Sequence, residues 1–97
     1  MKVEVTRQAA RNVAGIVRYL RERNPAASHR LRAAIVGAMQ TIAMFPEAGR
    51  AQATANVRKL ALTGFPYLIY FKVDAERRVV LILAVQHAAR RRRHTDA

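Results

Sequence analysis

The stretch VRKLALTGFPYLIYFKVDAERRVVLILAVQH, residues 57–87, carries the fold in its punctuation. Three runs rich in β-branched, aromatic and aliphatic residues, VRKLAL, YLIYFKV and VVLILAVQH, are separated by the short turn-forming segments TGFP and DAERR. Runs of this length joined by connections this short predict an antiparallel meander. Side chains alternate across a strand. Tyr67, Ile69, Phe71 and Val73 therefore share one face, and Leu68, Tyr70 and Lys72 the other. The last run is almost wholly apolar, as expected for a central strand covered on both faces.

Upstream the period changes. KVEVT, residues 2–6, alternates and reads as an opening strand, and Thr6 stands where a helix N-cap belongs. Ala9, Val13, Ile16, Val17 and Leu20 then recur at helical steps as one apolar stripe, with Arg7, Arg11 and Arg18 on the solvated side. Gly15 interrupts this helix at a cost of about 1 kcal/mol relative to Ala, unless close packing needs the missing side chain. Asn24 and Pro25 supply a cap and a first residue for a second helix. Leu31, Ile35, Ala38, Ile42 and Phe45 form its apolar seam, so the two helices make an antiparallel hairpin. Pro46 ends the second helix, Gly49 supplies a turn, and AQATAN, residues 51–56, reads as a loop.

The predicted order is β-α-α-β-β-β. It describes an α+β fold in which a helical hairpin packs on one face of a small, mainly antiparallel twisted sheet of four strands. Ninety-seven residues with 52% apolar content suffice for one core, expected over residues 1–90, followed by a flexible basic tail over 91–97. Without cysteine the chain forms no disulfide or thiolate metal site, which suits a reducing cytoplasm. No apolar run reaches the roughly 20 residues needed to span a bilayer, and the first residues lack the apolar core of a secretory signal. A cytoplasmic protein with no membrane contact, cofactor or metal is the expectation. Eighteen Lys and Arg against six Asp and Glu give a net charge of +12. Such a surface self-repels and calls for a polyanionic partner: RNA, DNA or an acidic protein.

Several segments, in order, resemble the RelE/ParE superfamily of bacterial toxins from type II toxin–antitoxin modules, and most closely its ParE or plasmid-stabilisation branch. They are IVRYLRERNPAAS at 16–28, MFPEAGR at 44–50, VRKLAL at 57–62, FPYLIYFKV at 65–73 and VQHAAR at 85–90. The resemblance implies a small basic toxin held inactive in a hetero-oligomer by an acidic, partly disordered antitoxin, with DNA contacted only through that antitoxin. ParE-like members are associated with inhibition of DNA gyrase. RelE-like members are associated with ribosome-dependent cleavage of mRNA.

The two outcomes ask different things of the residues. Cleaving RNA through its 2′-hydroxyl needs a base, an acid and cations around the phosphate. The candidates for that set are His87, Arg58, Lys59 and Arg90. Of these only His87 titrates near neutral pH by default, alternation sets Arg58 and Lys59 on opposite faces, and no carboxylate falls in the meander's strands. Gyrase inhibition asks only for binding surfaces, for which Arg58, Tyr70, His87, Arg90, Arg91, Arg92 and Arg93 are the candidates. Plainer roles compete: His87 as a structural hydrogen-bonding residue at a strand end, Arg58 as a partner of Glu47, and Arg50 as cover for a turn. The four arginines 90–93 have three readings: a solvated tail, a grip on nucleic acid, or a clamp for antitoxin carboxylates. A nucleic-acid grip would call for stacking aromatics, and none of the six aromatics lies near the tail in sequence. The balance favours a ParE-like, gyrase-inhibiting toxin. A RelE-like endoribonuclease is the alternative, and a non-toxic basic nucleic-acid-binding domain the third reading.

Overall fold

A computed structural model describes residues 1–89; Arg90, Arg91, Arg92 and Arg93, with the rest of the expected tail, lie outside the described residues. Strand β1 (Lys2–Val5) leads into helices α1 (Arg7–Arg23) and α2 (Pro25–Met44), then β2 (Arg50–Ala51), β3 (Val57–Ala61), β4 (Tyr67–Asp74) and β5 (Val79–His87). The sheet order is β1-β5-β4-β3-β2, so the meander β3-β4-β5 is antiparallel and β1 docks parallel on the far side of β5. The sheet has five strands rather than four. The extra one, β2, is a two-residue piece at the start of the expected loop, where Arg50 and Ala51 pair with Lys59 and Arg58.

Local chemistry sets the helix ends. The Thr6 hydroxyl accepts from the Ala9 N–H at 3.2 Å, and the Asn24 Oδ1 accepts from the Ala27 N–H at 3.1 Å. Each cap stabilises its helix by about 1 kcal/mol. Thr6 also ties the start of α1 to β5, because its hydroxyl donates to the Ile82 carbonyl at 2.7 Å, as its backbone N–H does at 3.1 Å. Pro25 occupies the first turn of α2, where its missing N–H is harmless.

The apolar stripes meet as their spacing requires. Ala9 and Val17 of α1, with Leu31, Ile35 and Ile42 of α2, are buried against Ile69, Phe71, Val80, Ile82 and Val85 of the sheet. Phe45 departs from the expected seam, being 57% exposed. The residue before Pro46 is pushed out of the helical region, and Phe45 caps the helix at φ −131° and ψ 82°, so its side chain leaves the line set by Ile42. In β4–β5 the register shifts between Tyr70 and Phe71: Tyr70 faces Ala84 and Phe71 faces Ile82, which leaves Leu83 as the bulged residue. Among the described residues no helix is long and apolar enough to cross a membrane.

Candidate partner-binding surface

Register and core membership sort the sheet into two sides. Arg58 lies opposite Phe71, and Tyr67 opposite His87, on the side that carries the helices. Lys59 lies opposite Tyr70, and Lys72 opposite Leu81, on the other side. Tyr67 and Tyr70 therefore point apart, as alternation requires.

Arg58 is half-buried and committed to the turn before β3. Its Nε donates to the Ala48 carbonyl at 3.0 Å and its guanidinium to the Gly49 carbonyl at 3.1 Å. Those acceptors are backbone rather than Glu47. Gly49 sits at φ 77°, and a Cβ there would collide with the Lys59 carbonyl, so the turn needs glycine on both counts. Arg50, beyond it, is exposed in β2.

Lys59 is half-buried, Lys72 is exposed and Tyr70 is 1% exposed, giving the helix-free side a covered aromatic beside two cations. Its strands carry two carboxylates, Glu4 of β1 and Asp74 of β4, and Glu4 pairs with Arg77 at 3.4 Å. Arg77 also reaches Asp74 at 3.8 Å. These exposed pairs contribute little to stability, but they take two of the few acids out of play.

His87 is exposed at the end of β5. Its ring stands edge-on to Tyr67, with centroids 5.4 Å apart and planes at 82°, and its Nδ1 accepts from the Ala89 N–H at 3.1 Å. That acceptor role leaves Nε2 as the protonated nitrogen of the neutral ring. Although no aromatic lies near the basic tail in sequence, the fold sets Tyr67 against His87, three residues before Arg90. The structure thus joins Tyr67 with His87. It leaves Arg58 four strand positions away on the same side, about 13 Å at the usual rise, and Lys59 on the opposite side.

A cleft of about 600 Å³ opens beside this aromatic pair, between α1 and the end of β5, with Arg11, Asn12, Gly15 and Tyr19 along its helical wall. Asn12 crosses it: its Oδ1 accepts from the Val85 N–H at 3.1 Å. Tyr19 is 53% exposed and stacks under the Arg23 guanidinium at 3.8 Å. No residue lining the cleft is acidic. Sequence reasoning passed over Asn12 and Gly15 as functional positions, since their signal is small: a polar residue and a glycine at the border of an apolar stripe, a pattern common on any helix flank. Packing does not explain Gly15, because a Cβ there would meet nothing within 4 Å. Among the described residues no three His, Cys, Asp or Glu side chains gather as metal ligands would.

Residues 3–92 match the family described as the ParE toxin of the type II toxin–antitoxin system, parDE. The chain is 32% identical over 87 residues, covering 90% of it and 88% of the relative, to "Putative toxin Y4kP" of Sinorhizobium fredii. Among solved structures it resembles a chain of the chromosomal ParDE toxin–antitoxin system of P. aeruginosa, with a TM-score of 0.75 at 21% identity over 90% of this chain and 95% of that one. It also resembles the isolated E. coli RelE toxin, with a TM-score of 0.61 at 18% identity over 93% and 86% of the two chains. At those identities the structural likenesses speak for the fold, and the sequence matches speak for kinship.

Proposed function

Because the chain belongs to the ParE toxin family of type II toxin–antitoxin systems, we propose that an acidic antitoxin holds it inactive and that, once released, it inhibits DNA gyrase by binding rather than by cutting RNA. The observation that carries the choice is the dispersal of the groups an endoribonuclease would need. Arg58 is engaged with two backbone carbonyls, Lys59 faces away from His87, and His87 has Tyr67 as its ring neighbour among the described residues. A phosphate held at one of these side chains would be out of reach of the others, and leaving-group protonation and charge stabilisation need them together. Inhibition by binding asks only for surface, which the net charge of +12 and the half-open cleft beside α1 offer. The antitoxin half of the reading rests on the same charge: an acidic segment would relieve self-repulsion while burying the exposed arginines.

Expression of the chain alone in bacteria tests the proposal. Filamentous growth arrest, loss of gyrase supercoiling on addition of the purified chain, and intact mRNA by primer extension are the expected results. Cleaved transcripts with normal supercoiling would move the chain to the RelE-like reading, and unimpaired growth would oppose both.

A further inference from the structure

Helix α1 turns its apolar stripe to the core, with Ala9 and Val17 buried, and carries arginine along the opposite crest. Arg7, Arg11, Arg18 and Arg21 are exposed and span about 21 Å at the usual helical rise. Two hollows flank this crest. Arg11 borders the cleft on the β5 side, and Arg21 borders a groove of about 400 Å³ shared with Ile35 and Met39 of α2.

The arrangement works against the helix. Arg7 is its first residue, where the dipole favours a negative charge, and the first turn holds no acid. Arg7 and Arg11 are like charges four residues apart, and Arg18 and Arg21 like charges three apart, spacings at which they repel. The acid beside them, Glu22, pairs with Arg23 instead, and none of the four arginines enters an ion pair among the described residues. A local rule broken on a helix that is otherwise well capped points to a partner that supplies the missing negative charge.

We propose that the crest of α1 binds the phosphate backbone of a nucleic-acid duplex directly, without regard to base sequence. Each guanidinium donates N–H bonds to phosphate oxygens, for which its planar fork is suited. Duplex DNA carries one charge per about 1.7 Å of axis, so a row of cations meets phosphates along its whole length. Other anions fit this face less well. A protein partner is held mainly by aromatic and apolar anchors, and between its arginines the crest offers exposed Ala14. A single strand calls for stacking rings, but Tyr19, the exposed aromatic of α1, already lies under the Arg23 guanidinium. A lipid surface would take the apolar face of the helix, which is spent on the core. The inference goes beyond the proposed function: the chain touches nucleic acid itself, where the family resemblance implied DNA contact only through the antitoxin.

The test measures fluorescence anisotropy of a labelled short DNA duplex with the full chain at increasing salt. Arg11→Gln should flatten the slope of log K against log salt by about 0.9, the share of one phosphate contact. The combined variant Arg7→Gln, Arg11→Gln, Arg18→Gln and Arg21→Gln should flatten it by about 3–4 and weaken binding at least about tenfold at physiological salt. Arg30→Gln and Arg50→Gln remove the same charge from exposed positions on α2 and β2, and should leave the slope nearly unchanged. Because glutamine keeps helix propensity and ends the repulsion, the combined variant should unfold no lower than the parent. An RNA duplex of equal length is the second arm: binding of either duplex supports the proposal, and the ratio identifies the source. An oligothymidylate of equal charge and phosphatidylserine vesicles should bind more weakly than the better duplex. Equal flattening by Arg30→Gln would mean that binding follows net charge and would overturn the proposal. So would an unchanged slope in the combined variant, a combined variant less stable than the parent, tighter binding of the single strand or the vesicles, or no binding of either duplex. Gyrase and antitoxin are absent from these measurements, so the toxin reading stands or falls separately.

Discussion

From Val79 to Ile82 the outer edge of β5 lies under β1 in parallel register, whereas from Val85 to His87 the same strand faces a cleft with one asparagine reaching across it. The inner edge is alike in both halves, paired with β4 from Asp74 to Tyr67. What differs is how each half meets the demand that backbone donors and acceptors find partners. The first half is satisfied by the chain itself and sinks into the core, with Val80 and Ile82 at 0% and 2% exposure. The second half ends in exposed His87 and, among the described residues, keeps part of its hydrogen-bonding capacity unspent. A saturated edge does structural work alone, while an unsaturated one is kept from random strand pairing by the helix beside it.

The comparison breaks most visibly at Ile82. Its side chain is buried in the core cluster, so Ile82→Ala should destabilise the chain by about 2–5 kcal/mol through lost burial and a cavity. Urea unfolding followed by far-UV circular dichroism would measure it. A loss under about 1 kcal/mol would mean that the closed half is no better packed than the open one. Next in size comes Thr6, which caps α1 and also closes the paired half of the edge. Thr6→Ala removes the cap bond to Ala9 and the donation to Ile82, for an expected cost of about 1–2 kcal/mol. Thr6→Ser keeps both groups and should restore most of the loss.

How far the sequence discloses this contrast depends on the kind of force involved. Where hydrophobic period sets the outcome, it was legible: the runs at 57–62, 67–73 and 79–87 became β3, β4 and β5, and Thr6, Asn24 and Pro25 took the capping places their chemistry suits. Where the outcome depends on which strand edges meet, it was not. Nothing in KVEVT says that β1 crosses to pair parallel with β5, or that it stops four residues along. The two-residue β2 was hidden in a small, polar stretch, because pairing that short leaves no periodic trace. Alternation separated Tyr67 from Tyr70 and Arg58 from Lys59 in advance, but not which pair would lie under the helices. The cleft was invisible for a similar reason: it is made by a strand ending, and Asn12 acquires meaning only when Val85 arrives opposite it.

Asn12 sharpens the comparison at lower cost. Asn12→Ala should destabilise by about 1 kcal/mol or less, since the released Val85 N–H borders an open cleft where water can replace the amide. Amide exchange at Val85 should accelerate while exchange at Val80 and Ile82 holds. Uniform acceleration along β5 would mean that the strand opens as one unit and that its covered and open halves differ in geometry but not in local stability. Asn12→Asp retains an acceptor for Val85 but adds a negative charge to a wall that has none, so it should leave stability nearly unchanged and weaken binding of an acidic segment.

The smallest effect, and the only one expected to stabilise, concerns Gly15. A glycine inside α1 costs about 1 kcal/mol relative to alanine through backbone entropy, and close packing gives no reason for it, since an added Cβ would meet nothing within 4 Å. Gly15→Ala should therefore raise stability by roughly 0.5–1 kcal/mol, seen as a rise of a few degrees in the unfolding midpoint of a domain this size. The same methyl takes little of a cleft of about 600 Å³. If alanine brought no stabilisation, some cost in the folded chain would offset the gain in helix propensity, and Gly15 would belong with Gly49 as a position the backbone requires.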